Sequence, residues 1–248
     1  MKKRNKVALI TGGGTGIGFA IAKELHSMKY TVVLTGRRKN KLIEARKKLK
    51  TRCYIFENDI SDKSSITTLV NDIEKNIGNI DILINNAGTH LKKLALDTTD
   101  EEWSKVIDTN LNAVFSLSRE CSKKMIKRKK GNIIMVGSVT SIMGLPNVAA
   151  YATTKTALAG LTRVLAIELG KYSINVNCIC PGFIKTAIFA KVKKKDPKRF
   201  VKILSRTSLN RFGKVEDISN VVGFLCSPDA NFITGSIIPV DGGFHSSF

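Results

Sequence analysis

Lys6-Val7-Ala8-Leu9-Ile10-Thr11-Gly12-Gly13-Gly14-Thr15-Gly16-Ile17-Gly18 is the stretch on which the reading of the chain turns. Its first residues predict a short buried strand. Phe19, Ile21, Ala22 and Leu25 then follow at helical spacing. A strand that runs through a glycine-rich turn into a helix start makes a phosphate site. Glycine lets the backbone come close, and the free N–H groups of the first helical turn face a pyrophosphate. The order Gly12-x-x-x-Gly16-x-Gly18 differs from the commoner G-x-G-x-x-G. No Gly-Lys-Ser/Thr follows, so the turn is not the triphosphate-binding loop of that type.

Working outward, apolar strands alternate with amphipathic helices along all 248 residues. Strands are expected at Val7–Thr11, Thr31–Thr35, Arg52–Glu57, Ile80–Asn85, Gly131–Gly137, Ile174–Cys180 and Ser236–Val240. Helices are expected at Ile17–Met28, Lys39–Leu49, Lys63–Asn76, Glu101–Lys127 with a break near Thr109, Ala150–Lys171 and Val215–Cys226. The pattern predicts an α/β fold with one doubly wound parallel sheet of about seven strands and helices on both faces. One domain, 1–248, is expected, with 43% hydrophobic residues to fill its core. Ligands in such sheets bind at the carboxyl ends of the strands. There the chain carries its glycines, Arg37 and Arg38, Asp59 and Ile60, Asn85-Asn86-Ala87-Gly88, Ser138, and Pro181-Gly182.

Tyr151 and Lys155 stand one helical turn apart, so phenol and ammonium share a face. A nearby ammonium favours phenolate, and Lys155 is expected to draw the Tyr151 pKa down and leave a general acid/base suited to a carbonyl or alcohol oxygen. Ser138, thirteen residues upstream, suits a hydrogen bond to the same oxygen. Taken singly, Ser138 reads as a helix N-cap and Asn110 as a turn residue.

The second strand ends Thr35-Gly36-Arg37-Arg38. A site for NAD calls for an acid here, whereas arginine accommodates a 2′-phosphate. NADP(H) is therefore expected over NAD(H), with Arg37 pairing the phosphate.

Net charge is +21, from 41 Lys and Arg against 20 Asp and Glu. The positive charges fall at Lys39–Lys50, Lys123–Lys130 and Lys191–Arg199, with no nucleic-acid motif or interleaved aromatics. No nucleic-acid partner is expected. The excess reads as compositional bias or as attraction to an acidic partner, and Lys127–Lys130 is placed beside the active-site strand, where a carrier would dock. The five cysteines are scattered, and only Cys178 and Cys180 are close, so reduced core thiols are expected and metal is not. The apolar run behind Met1-Lys2-Lys3-Arg4 is too short for a secretory signal, and no run reaches membrane-spanning length. A cytoplasmic protein with no membrane partner is the expectation.

The chain resembles the short-chain dehydrogenase/reductase family nearly end to end. The resemblance rests on Thr11–Gly18, Asp59-Ile60, Asn85–Gly88, Asn110, Ser138, Tyr151 with Lys155, Pro181-Gly182 with Thr186, and Val240-Asp241-Gly242-Gly243. It implies a Rossmann-type fold and a catalytic tetrad of Ser138, Tyr151, Lys155 and Asn110, the last as a water-linked proton relay. It also implies that Gly12, Thr15, Gly16, Ile17 and Gly18 cradle the cofactor phosphates and that Asp59 and Ile60 hold the adenine. Asn86, Ala87 and Gly88 would support the sheet beside the cofactor. Tyr151 and Lys155 would meet the nicotinamide ribose, and Pro181, Gly182, Ile184 and Thr186 the carboxamide. Ser138–Gly144 and Pro181–Thr186 resemble the 3-oxoacyl-(acyl-carrier-protein) reductase subgroup, which implies an NADPH-dependent reduction of a small or carrier-linked carbonyl substrate. Gly13-Gly14-Thr15 departs from the Ala-Ser-Arg common there. Asp196-Pro197 with Phe232 and Gly235 is similar to gluconate 5-dehydrogenase-like relatives, so a sugar-acid or small-alcohol dehydrogenase is the alternative. A non-catalytic nucleotide-binding regulator is a second. The resemblance also implies a homotetramer or homodimer. Its interface is expected on Glu101–Lys127 and Ala150–Lys171, through Val114, Phe115, Leu117, Leu158, Leu161 and Leu165.

Overall fold

A computed structural model describes residues 6–186 and 197–247. Seven strands form one sheet: β1 (Val7–Thr11), β2 (Thr31–Gly36), β3 (Cys53–Glu57), β4 (Ile80–Asn85), β5 (Gly131–Val136), β6 (Ile174–Pro181) and β7 (Ile237–Val240). Their spatial order is 3-2-1-4-5-6-7 and each pairing is parallel. Between them lie α1 (Gly16–Ser27), α2 (Lys39–Leu49), α3 (Lys63–Asn76), α4 (Asp100–Ile107), α5 (Ala113–Arg128), α6 (Ala149–Gly170), α7 (Pro197–Ser205) and α8 (Val215–Leu225).

The continuous apolar runs of the strands follow from burial on both faces. In β1, Val7 and Leu9 face a core shared with α3, α5 and α6 through Leu69, Leu117 and Leu158. Ala8 and Ile10 point the other way, against α1, α2 and α8 through Ile21, Leu42 and Val222. One face cannot be stripped without exposing alternate residues of every strand, so the sheet holds its helices in two layers. All five cysteines are free and buried. Among the described residues no helix is long and apolar enough to cross a membrane.

The expected break near Thr109 is a π-turn over Asp108–Asn112, between α4 and α5. Helix α7 was not anticipated; it carries buried Phe200 and Ile203 in the stretch after β6. Of the apolar residues expected at an interface, Val114, Leu117 and Leu158 lie in the core instead, because their positions on α5 and α6 face the sheet. Phe115, Val164 and Ile167 are the exposed apolar residues of those helices.

The basic segment Lys127–Lys130 also lies elsewhere than expected. Helix α5 runs back to the amino end of β5, so the segment enters the sheet at the end opposite Ser138. Six residues of strand separate the two, about 20 Å. Arg128 is tied there to Glu74, with Nη1 to Oε1 at 3.0 Å, and donates to the Ile80 carbonyl at 2.9 Å. It fastens the bottom of the sheet.

Candidate active site

The strand order reverses direction between β1 and β4, and a cleft of about 980 Å3 opens over that point. Every residue expected at the cofactor lines it except Gly16. Gly16 has φ +56°, and a Cβ there would lie 4.0 Å from Thr186 Cγ2, so it faces Thr186 on the cleft's rim. Ser138, Tyr151 and Lys155 line the same cleft. Asn110 stands behind it, fully buried.

The glycine turn has the space a dinucleotide needs. Gly12 has φ +65°, a conformation open chiefly to glycine. A Cβ on Gly18 would come within 2.5 Å of the Gly12 carbonyl. Asn86 pins this turn to β1 by donating from Nδ2 to Thr11 O at 2.8 Å, while the Asn86 and Ala87 N–H groups donate to Thr11 Oγ1. Thr15, the N-cap of α1, makes no side-chain cap, and the first turn holds no acid. Its N–H groups therefore face the cleft, where an anion satisfies them.

At the end of β2 the two arginines take different directions. Arg37 turns to Asp59, Nη1 to Oδ2 3.7 Å, on exposed side chains. Arg38 reaches back over the glycine turn and donates to Thr15 Oγ1 at 3.1 Å. A Cβ on Gly36 would touch only Gly12 Cα and Leu42 Cδ2, both at 4.0 Å. That corner is therefore open, with a guanidinium on either side. Burial pushes the Asp59 carboxyl up, but the Ser61 hydroxyl and N–H, together with Arg37, hold it below the usual range. These residues fit a nicotinamide dinucleotide.

The reacting groups are built around Ser141. Ser138 starts a short 3-10 turn, Val139–Ser141, and its Oγ accepts from Thr140 N–H at 3.2 Å. The N-cap reading of Ser138 is thus correct, and it leaves the hydroxyl proton available to a neighbour. The Ser141 hydroxyl accepts from Ser138 N–H at 3.1 Å and donates to Lys155 O at 2.7 Å. Thr156 adds a second tie to the Thr140 carbonyl. The turn carrying Ser138 is thereby fixed to α6, which carries Tyr151 and Lys155.

The Tyr151 pKa runs against the expectation that Lys155 lowers it. Burial raises the phenol, and the hydrogen bond from Ser138 only partly offsets this. Lys155 is itself buried, its ammonium brought down to about 8 by loss of water, and it donates to Val136 O at 2.7 Å. Its Nζ stands 5.7 Å from the Tyr151 ring centroid. Loss of water acts on both groups and in opposite directions, raising a phenol and lowering an ammonium.

Asn110 lies within the π-turn. Its amide is held from both sides, Nδ2 donating to Thr89 O at 2.8 Å and Oδ1 accepting from Thr89 N–H at 2.7 Å. A Cβ on Gly88 would lie 3.2 Å from Asn110 Oδ1 and 3.7 Å from Lys155 Nζ. A side chain at this position would crowd the Asn110 amide.

Sequence reasoning missed other cleft residues: Lys41, three residues past Arg38, His90 and Lys92 after β4, and Phe183, Arg199, Phe200 and Ile203 after β6. The His90 ring packs on Tyr151, centroids 4.6 Å apart. Its position two residues past Gly88 was the available signal. Nothing in the sequence aims α7 at the cleft. Phe232 is fully exposed and does not line it.

A sheet of this order, with a glycine turn at a helix start and a Ser–Tyr–Lys group at the switch point, defines a dinucleotide-dependent oxidoreductase. A family profile described as Enoyl-(Acyl carrier protein) reductase matches residues 12–245. The chain is 38% identical over 248 residues to a 3-oxoacyl-(acyl-carrier-protein) reductase of Buchnera aphidicola subsp. Baizongia pistaciae, covering 99% of each chain. Among solved structures, a candidate gluconate dehydrogenase from Agrobacterium tumefaciens superposes with TM-score 0.94 at 30% identity, covering 98% of this chain and 97% of that one. Levodione reductase superposes with TM-score 0.93 at 31% identity, covering 99% and 100%. The chain belongs to the short-chain dehydrogenase/reductase family.

Proposed function

We propose that the protein reduces the 3-oxo group of acyl thioesters carried on an acyl carrier protein, using NADPH. The observation that supports this most directly is the pairing of two features in one cleft. Ser138 and Tyr151 aim at an oxygen, and Phe183, Phe200 and Ile203 provide an apolar wall beside them. An acyl chain buries well against that wall, whereas a sugar acid would leave its hydroxyls facing it. The 38% identity to the Buchnera reductase points the same way.

In this reading a bound nicotinamide supplies the hydride to the carbonyl carbon. Ser138 turns its hydroxyl proton from Tyr151 to the carbonyl oxygen, as a hydrogen bond that fixes the oxygen's position. Tyr151 then protonates the oxygen as it gains negative charge. A phenol is protonated at neutral pH, as a reductase requires, and an alkoxide is a stronger base than phenolate. Lys155 holds the nicotinamide ribose and returns a proton to Tyr151. Asn110 anchors a water that links Lys155 to solvent. Arg38, more than Arg37, carries the preference for NADPH, since it already overlies the glycine turn. Asp59 and Ile60 frame the adenine, and the whole chain acts as a single NADP-binding domain. Exposed Phe115, Val164 and Ile167 are covered in a homodimer or homotetramer.

The test is a turnover screen of 3-oxoacyl thioesters, an enoyl thioester and sugar acids with both cofactors. The 3-oxoacyl thioester with NADPH is expected to react fastest, and Tyr151→Phe to lower kcat by about 10²–10⁴ while NADPH still binds. Turnover of a sugar acid alone would move the protein to the sugar-acid dehydrogenase alternative.

A further inference from the structure

His90 packs on the reacting phenol: its ring centroid lies 4.6 Å from that of Tyr151, with the planes tilted by 47°. The side chain is exposed and lines the cleft. Among the described residues, neither ring nitrogen has a hydrogen-bond partner. The chain around it is nonetheless fixed at both ends. Thr89, the residue before it, is clamped by Asn110: its N–H donates to Oδ1 at 2.7 Å and its carbonyl accepts from Nδ2 at 2.8 Å. Further on, Lys93 N–H donates to the Asn147 carbonyl at 2.8 Å, and Lys93 pairs with Val148, the N-cap of α6. The segment that carries His90 is thereby tied to the helix that carries Tyr151. Ser138 hydrogen-bonds the same phenol. A neutral imidazole has one N–H donor and one bare nitrogen. Loss of water, then the positive charges of Arg199 and Lys92, hold the His90 pKa below its usual range, so the ring is neutral at pH 7. Packing on Tyr151 would be served by any aromatic side chain. Histidine adds an unpaired donor beside the group that reacts.

We infer that His90 is a specificity residue, whose N–H binds a second carbonyl oxygen of the substrate, two carbons from the one that Ser138 and Tyr151 serve. The inference rests on the reductase reading of the cleft and names what the site recognises: a 1,3-dicarbonyl over an isolated ketone. In a 3-oxoacyl thioester the second oxygen is that of the thioester carbonyl. One hydrogen-bonded oxygen leaves the reacting carbonyl free to rotate about its own axis. Holding two oxygens stops that rotation and fixes which face meets the hydride. An isolated ketone offers the His90 N–H no acceptor and forgoes the bond.

Steady-state kinetics with NADPH on ethyl acetoacetate, a 1,3-dicarbonyl, and ethyl levulinate, its 1,4 homologue, test this. The two differ in intrinsic reactivity, so the readout is the change that a substitution makes in the ratio of their kcat/KM values. His90→Phe keeps a ring on Tyr151 and removes the N–H, at an exposed position where the fold tolerates it. It is expected to lower the ratio of acetoacetate to levulinate by about three- to tenfold, the worth of one neutral hydrogen bond. His90→Gln supplies an N–H without the ring and should recover part of the ratio. A ratio unchanged in His90→Phe, or one that His90→Gln does not raise above the Phe value, overturns the contact. An equal loss on both substrates also overturns it, because the ring then serves Tyr151 alone. In each of those cases, turnover of ethyl acetoacetate by the parent leaves the reductase reading standing. A parent that turns over gluconate and not ethyl acetoacetate overturns the reductase reading, and the role of His90 falls with it.

Discussion

Replacing Ser141 with alanine probes how the reacting groups are held together. Its hydroxyl is the shared partner of the Ser138 N–H at 3.1 Å and the Lys155 carbonyl at 2.7 Å, and all three residues are buried. Ser141→Ala deprives the Ser138 N–H of that partner in a place water does not reach. A buried donor stripped of its acceptor costs about 1–3 kcal/mol. The Lys155 carbonyl loses less, because a carbonyl has a second lone pair available to its own helix. For a chain of this size each kcal/mol moves Tm by about 2–4 °C, so Tm should fall by roughly 2–12 °C. The kinetic effect follows from the same bonds. Without Ser141 the 3-10 turn keeps the Thr156 tie to α6 and the hydrogen bond from Ser138 to Tyr151 but loses its link to the Lys155 carbonyl, and the Ser138 backbone can drift. Misplacement of a positioning group by about 1 Å costs up to 10² in rate, so kcat should fall by roughly 10–10² with NADPH affinity little changed. Differential scanning calorimetry and steady-state kinetics measure the two effects. A variant that melts within about 1 °C of the parent and keeps its kcat would show that Ser138 is positioned by something other than Ser141.

Three further outcomes are expected. Gly36→Asp combined with Arg38→Leu should reverse the cofactor preference toward NADH: the Gly36 corner admits a side chain at ordinary contact distance, and a carboxylate there repels a 2′-phosphate. The kcat/KM ratio for NADPH over NADH reads this, and an unchanged ratio would remove Arg38 from the phosphate site. Lys155 has a folded pKa near 8 against 10.5 when unfolded, so between those values the unfolded chain binds more protons and stability rises with pH. The stability difference between the parent and Lys155→Met, from urea unfolding at pH 7.5 and 10.5, should therefore shift in the parent's favour by on the order of 3 kcal/mol; a flat difference would mean the ammonium is not desolvated. Light scattering at micromolar concentration should give a dimer or tetramer, and Ile167→Asp should shift it toward monomer, since Ile167 is exposed on α6; a monomeric parent would contradict an interface there.

The alternation of apolar strands and amphipathic helices was enough to set the fold, because a parallel sheet buried on both faces leaves its mark locally in every strand. Strands β1 and β4 and helices α2 and α3 have the bounds that their residues predict. The cleft residues at the strand ends were legible for a similar reason: Gly12, Asn86 and Ser138 sit where a strand stops, and a backbone constraint selects the residue type. What only the tertiary structure decided depends on direction and burial. The run Lys127–Lys130 is close to Ser138 in sequence, yet it enters β5 at the far end of the sheet because a crossover helix runs antiparallel to its strands. Arg37 and Arg38 are adjacent in sequence and carry the same charge; packing turns one to Asp59 and the other to Thr15. The direction of the Tyr151 shift could not be read from a four-residue spacing, since a pKa balances neighbouring charge against lost water, and only the folded chain sets how much water is lost.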